Sequence, residues 1–150
     1  MSKLVTQDEL NNIPIHPLAV QLLRDDLIPD LLGKEADRIL YWAGKSLVQR
    51  YPLETIEDII TFFDKACWGT LTVSEQKKNE MHFQLMSPFI SDRYQKKQST
   101  TYQLEAGFLA GQIQKQRGVT AETYEDQKKR TEKVQFIVQW DPKDILDAEI

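Results

Sequence analysis

Up to Cys67 the apolar residues recur at helical spacing, and from Trp68 they switch to strict alternation. Met1 to Ile15 has no clear period and reads as a flexible N-terminal arm, residues 1–15. His16-Pro17 then opens a helical stretch, because proline is tolerated in a first turn where its missing N–H has no partner to lose. Leu18, Leu22 and Leu23 form its apolar stripe and are expected to face the core. Pro29 is expected to break or restart this helix, with Gly33 as a left-handed cap. A second helix is predicted from Glu35 to Arg50, stopped by Pro52, with Ala36, Ile39, Leu40, Ala43, Leu47 and Val48 as its buried face. A third starts at Thr55, where Thr55 and Asp58 approximate a capping box, and places Ile56, Ile59, Ile60, Phe63 and Cys67 on one side.

After Trp68-Gly69 the run Thr70 to Ser74 alternates with period two, and a polar turn from Glu75 to Asn79 joins it to Met81, Phe83 and Leu85. Two such runs read as an antiparallel hairpin with one buried face. An irregular stretch containing Pro88 leads to a helix from Thr101 to Gln116, with Thr100 and Gln103 resembling a capping box and Gly118 just past the end. In the second hairpin, Val119 to Lys129 is the weakly patterned edge strand. Val134, Phe136, Val138 and Trp140 mark a central strand ended by Asp141-Pro142. The sum is an α+β fold: N-terminal helices, a hairpin, a central helix and a second hairpin, with helices packed on a four-stranded antiparallel sheet. Residues 16–141 form a single domain on this pattern and 142–150 a tail.

Composition narrows the function classes. A net charge of −4 argues against a nucleic-acid partner, which needs surplus Lys and Arg. The short clusters Lys77-Lys78, Lys96-Lys97 and Lys128-Lys129-Arg130 read as solvated turns or strand ends. One cysteine excludes an intramolecular disulfide and a cysteine-rich zinc site. The polar start lacks a signal-peptide core, and no apolar run approaches the ~20 residues of a membrane span, so a cytoplasmic location is expected.

Catalytic chemistry has little to stand on. His16 precedes a proline, and His82 alternates with Met81 and Phe83 and so belongs on the polar sheet face. Cys67 sits on an apolar stripe as a small buried thiol. No motif for a nucleophile, a phosphate-cradling loop or a metal site is present, and neither enzyme activity nor a cofactor or metal is expected.

Some positions break the ordinary pattern. Trp42 projects away from its helix's apolar stripe among Glu35, Arg38, Lys45 and Gln49, which suits either a second packed layer or an interface. The helix around Leu104 to Gly111 is apolar on two sides, as a helix buried between layers would be. Its Gly107 and Gly111 each cost about 1 kcal/mol against Ala, which calls for close approach of another backbone or room for a ligand. Glu105 shares that helix's narrow polar strip with Gln112, and Arg93, in Asp92-Arg93-Tyr94, is the candidate partner for a structural ion pair.

Certain phrases carry a family resemblance. Leu27-Ile28-Pro29-Asp30-Leu31-Leu32-Gly33, Leu40-Tyr41-Trp42-Ala43-Gly44-Lys45, Phe62-Phe63 with Trp68-Gly69-Thr70-Leu71, and Gln103 through Ala110 together resemble the YslB-like proteins. Those are uncharacterised cytoplasmic proteins of Gram-positive bacteria. The resemblance runs from about Ala19 to Asp141. That family is in turn similar to the group holding the 4-vinyl reductase domain, the TRAPP subunits and the haem–nitric-oxide-binding domains. It implies the fold of that group, the ligand-binding type found in NO signalling and Golgi transport, and it carries no established activity.

Two expectations of function follow. In the first, the chain is a non-enzymatic homodimer holding a small apolar ligand, with Cys67, Trp68, Gly107, Phe108 and Gly111 at the pocket. In the second, it is an adaptor or scaffold for a protein partner, with Trp42 and Leu22 at the interface and no small molecule.

Overall fold

A computed structural model describes residues 4–146. They fall into two compact units, one ending at Gly33 and one beginning at Lys34.

In the first unit, a short helix α1 (Gln7–Asn11) lies within the expected arm, and Thr6 Oγ1 caps it by accepting the Glu9 N–H at 3.1 Å. His16 caps the next helix in the same way, its Nδ1 accepting the Leu18 N–H at 3.1 Å. From there the chain is helical as α2 (Pro17–Gln21), a π-helical segment (Leu22–Leu27) and α3 (Ile28–Leu32). Pro29 therefore restarts the helix rather than breaking it, one of the two outcomes expected of it. The wider π turns precede it, and it occupies the first turn of α3, where a missing N–H is tolerated. The expected core stripe is also corrected, because Leu18, Leu22, Leu23, Leu27 and Leu31 are all exposed. Gly33 ends the helix at φ 58°.

A 3₁₀ turn (Gly33–Glu35) leads into α4 (Ala36–Leu47), and the second unit goes on through α5 (Ile56–Lys65), β1 (Thr70–Gln76) and β2 (Glu80–Met86). It continues with α6 (Pro88–Gln95), α7 (Gln103–Arg117), β3 (Val119–Lys128) and β4 (Lys133–Ile145). The sheet is antiparallel throughout in the order β1-β2-β4-β3, so β4 is central and β3 is an edge, as its weak patterning predicts. Cross-strand pairs such as Leu71↔Leu85, Phe83↔Phe136 and Thr123↔Val138 lie on its helix-covered face. His82 lies on the opposite face, bonded to Glu80 at 3.1 Å.

Four local expectations are corrected. The stretch around Pro88 is helix α6, because Ser87 Oγ accepts the Ile90 N–H and Pro88 takes the first helical position. β4 runs on through Pro142, beyond the last β2 partner at Gln139 and across the register shift in β3, where no ladder bond is lost to proline. The buried side of α4 is Leu40, Gly44 and Val48, whereas Ile39 is exposed. Thr100 and Gln103 do not form a capping box. Tyr102 is the N-cap, Thr101 Oγ1 accepts the Gln103 N–H, and Glu125 accepts the Tyr102 N–H.

The helix α7 is buried on two sides, as expected, with Ala106, Phe108, Leu109, Ala110 and Ile113 all inaccessible. One side rests on the sheet and the other meets α4 at backbone contact. A β-carbon at Gly107 would overlap the Tyr41 carbonyl oxygen and stand 2.8 Å from its carbon. One at Gly44 would overlap Leu104 O, and one at Gly111 would sit 2.7 Å from Val48 Cγ2. Of the two reasons considered for Gly107 and Gly111, the close approach is what the structure contains. At Gly107 the α4 backbone fills the space, whereas Gly111 meets closely only the Val48 side chain and also lines a surface cleft with Lys45, Gln49 and Lys115.

Gly107→Ala is expected to cost about 3 kcal/mol in urea unfolding, because rigid backbone must move. Gly118→Ala, which meets open space but keeps φ 69°, is expected to cost about 1 kcal/mol. Equal losses would show that the α4–α7 contact is soft.

Candidate functional site

Three places in the second unit collect chemistry. The first is aromatic. The helix α5 ends at Lys65, and Cys67 follows at φ 60°, a left-handed conformation that is costly for a residue other than glycine. Cys67 therefore does not continue the apolar stripe of α5, as the spacing suggested. It lies half-buried in the turn that swings Trp68 back over the helix, with the Trp68 N–H donating to Phe63 O at 2.9 Å. Trp68 meets Phe63 edge-on at 4.9 Å and Phe108 edge-on at 5.4 Å between ring centroids. Phe62 stacks on Phe108 at 4.6 Å, and Tyr51 stands 5.4 Å from Phe62. These are the offset and edge-to-face geometries that ring quadrupoles favour. Phe63 and Phe108 are fully buried, Phe62 and Trp68 are half-buried and Tyr51 is exposed, so the cluster grades from core to surface.

The structure thus brings Trp68 and Phe108 together with Cys67 beside them in the chain, and it turns Gly107 and Gly111 towards α4. Phe62 and Tyr51 are additions the sequence reading missed. The adjacent pair Phe62-Phe63 was the available signal, because both rings of the pair reach Trp68 and Phe108. Of the interface candidates, Trp42 is 68% exposed on α4, and Leu22 is exposed in the first unit.

The second place is polar and lies at the start of α7. The inner face of β3 reads Val119, Ala121, Thr123, Glu125, Gln127, apolar at one end and polar at the other. Glu125 Oε1 accepts from the Tyr102 N–H at 3.0 Å and from Gln103 Nε2 at 2.8 Å. Gln127 Nε2 donates to Glu125 Oε2 at 2.6 Å and to Thr100 O at 2.7 Å. Arg93, only 5% exposed, donates to Tyr102 Oη at 3.4 Å, and its guanidinium lies 5.8 Å from that ring's centroid. Glu105, 2% exposed, follows Tyr102 by three residues on α7, so both project to the same side. Burial pushes the Glu125 carboxyl above the usual carboxylate range, with the charge of Glu105 acting in the same direction and three hydrogen bonds opposing. Burial likewise raises Tyr94, helped by Tyr102, Glu125 and Asp126.

A third cluster joins α4 to the β3 edge. Tyr41 donates its hydroxyl to Glu122 and accepts the Thr123 N–H at 3.0 Å, while Lys45 pairs with Glu122 at 2.8 Å. Tyr41 thereby occupies an edge-strand donor that would otherwise be open to pairing. Among the described residues no group of three metal-ligating side chains converges, and no helix is long and apolar enough to cross a membrane.

Comparison with known proteins places this geometry in a lineage. A family model described as "Protein of unknown function (DUF2507)" matches residues 17–139. The chain is 44% identical over 137 residues to "Uncharacterized protein YslB" of Bacillus subtilis (strain 168), covering 91% of this chain and 93% of that one. Among solved structures it is similar to a vinyl-4-reductase family protein from Methanocaldococcus jannaschii, with a TM-score of 0.63, 18% identity, and 89% and 87% of the two chains covered. It is also similar to the phenol-responsive sensory domain of the transcription activator PoxR, solved with phenol, with a TM-score of 0.56, 14% identity, and 85% and 76% covered. A trafficking protein particle complex subunit 3 from Naegleria fowleri superposes more loosely, with a TM-score of 0.46, 14% identity, and 87% and 92% covered. The α+β fold of the vinyl-4-reductase family protein is shared, and identities this low speak to fold alone.

The raised Glu125 carboxyl has a definite sign in folding. Its contribution is fullest below the unfolded-state pKa and is lost as pH rises through the folded one. Glu80 has the opposite sign, because its hydrogen bond with His82 holds it below the usual range, and its contribution fades as pH falls through that lowered value. Urea midpoints taken from about pH 4 to about pH 7 should show Glu125→Gln gaining steadily on the wild type, whatever constant offset the lost carboxylate brings. Parallel pH profiles would mean that Glu125 titrates normally.

Proposed function

We propose that this chain, which belongs to the DUF2507 family, is a non-enzymatic binding module that acts as a homodimer and holds a small apolar ligand at its aromatic cluster. The observation that carries the proposal is the gradient from buried Phe108 through half-buried Phe62 and Trp68 to exposed Tyr51. Rings stacked edge and face in this way present an apolar surface that a flat apolar molecule can extend. Cys67 lines the same turn, and its left-handed backbone sets the angle at which Trp68 leaves α5. The PoxR sensory domain, solved with phenol, supports an aromatic ligand class for a fold of this kind.

In the same proposal Arg93 and Glu105 act as a structural ion pair. Both are buried and grouped around Tyr102, and leaving either charge unpaired there costs several kcal/mol. Homodimerisation rests on Trp42, whose exposure on the charged side of α4 is typical of an interface anchor. The same exposure, with that of Leu22, favours the alternative of an adaptor that binds another protein and no small molecule.

Mass spectrometry under native and then denaturing conditions separates the two. The expected result is a mass of two chains plus a non-covalent remainder that is lost on denaturation. Trp68→Leu should lose the remainder and keep the dimer, and Trp42→Ala should do the reverse. A bare single chain from the wild type would overturn both the ligand and the dimer and leave the adaptor.

A further inference from the structure

A cleft of about 580 Å³ opens between the end of α6, the segment leading to α7, and the β3–β4 turn, with Tyr94, Lys97, Ser99, Thr100, Gln127 and Lys129 on its walls. It is separate from the aromatic cluster and from the glycine contact. Its cations are arranged in a way that the local pairing explains. Within Lys96-Lys97, Lys96 bonds Asp92 on its own helix at 3.0 Å. Within Lys128-Lys129, Lys128 bonds Asp126 on its own strand at 2.7 Å. Lys97 and Lys129, the other member of each pair, line the cleft, and among the described residues neither has an ion pair.

The backbone sets this up. Lys97 terminates α6 at φ 55°, with its N–H donating to Tyr94 O and the Gln98 N–H to Arg93 O, which closes the helix end in the manner of a glycine cap. A lysine in that conformation carries a strain that glycine would not. The carboxylates near the cleft have partners. Glu125 is held by Gln103 and Gln127, and Glu132 is bonded to Gln95. Among the described residues no carboxylate is on the cleft's walls, in a chain whose net charge is −4. Thr100 Oγ1 is buried without a hydrogen-bond partner among the described residues, which leaves a donor for a ligand to satisfy. On the far side of Ser99, Thr100 and Gln127 the surface turns acidic with Asp37 and Glu125, so an anion is favoured on the lysine side only.

We infer that this cleft binds a phosphate group, with Lys97 and Lys129 supplying the charge and Thr100 and Ser99 the hydroxyl donors. Two ammonium groups and hydroxyls around one cavity fit a compact multivalent anion, with lysine acting as a point charge on phosphate oxygens. The cavity exceeds what the phosphate itself fills, so it has room for a small phosphomonoester as well as for the free ion.

The test is amide chemical-shift perturbation in the full chain, titrated with inorganic phosphate, with glycerol phosphate, and with chloride at matched ionic strength. Saturable shifts confined to residues 94–101 and 127–129 are expected with both phosphates and not with chloride. Tighter binding of glycerol phosphate identifies an esterified source, and equal binding identifies the free ion; either supports the site. Lys97→Gln with Lys129→Gln should weaken binding about tenfold or more, as loss of charge-assisted contacts does, with the folded spectrum kept because both side chains are exposed. Thr100→Val, nearly isosteric, should weaken phosphate binding without loss of stability. Shifts that do not saturate, that chloride reproduces, or that survive the double lysine substitution would overturn the inference.

Discussion

The contact between α4 and α7 is the constraint from which the rest of the second unit follows. Gly44, Gly107 and Gly111 remove the β-carbons that would hold the two helices at an ordinary separation of about 8–10 Å. At this closeness Tyr41 and Val48 touch the backbone of α7 directly, and α7 cannot rotate or slide without a steric clash. Its other side rests on the sheet. A helix held on both sides presents each of its residues in one direction only. Phe108 is thereby delivered to the rings of α5 and Trp68, and Glu105 to the polar ground beneath Tyr102.

The sheet supplies the matching gradient. Along the inner face of β3 the side chains change from Val119 and Ala121 to Glu125 and Gln127. The polar half lies where α7 begins, and a helix start has N–H groups in need of acceptors. Tyr102, at the N-cap position, has no side-chain oxygen suited to the task, and Glu125 reaches across from the neighbouring strand to accept its N–H. A long-range carboxylate thus does what the Glu or Gln three residues on does locally in a capping box, which is to accept the N–H of the N-cap residue. It ties the loop, the helix and the edge strand into one polar unit, and the lysine-lined cleft lies on the outer side of that unit.

Similarity at the level of fold joins this chain to proteins with different printed roles, a vinyl-4-reductase family protein and a phenol-responsive sensory domain among them. Such scaffolds host many functions, and the site decides between them. Here the aromatic cluster and the lysine cleft differ in every physical respect. One is graded burial of rings, the other unpaired charge around a buried hydroxyl.

Much was legible from the residues alone. Alternation from Leu71 to Val73, Met81 to Leu85 and Val134 to Trp140 determined three strands, because a period of two allows only one way to bury a face. Thr55 determined the start of α5 and Gly118 the end of α7, since caps act within a turn and need nothing distant. Doubled apolarity determined that α7 is buried on two sides. The tertiary structure decided the rest. Whether Gly107 and Gly111 made room for a ligand or for α4 depended on where a helix some sixty residues earlier comes to rest. The α4 face shifted from Ile39 to Gly44 for the same reason: periodicity selects the more apolar side, whereas a glycine contact selects the flattest. Cys67 left its stripe because a left-handed residue ended the period. Glu125 carried no local signal, for its importance lies in bonds to Tyr102, Gln103 and Thr100 through Gln127, which exist only once the strand and the helix meet. Local chemistry sets each element, and the partners an element finds across space set what its side chains can do.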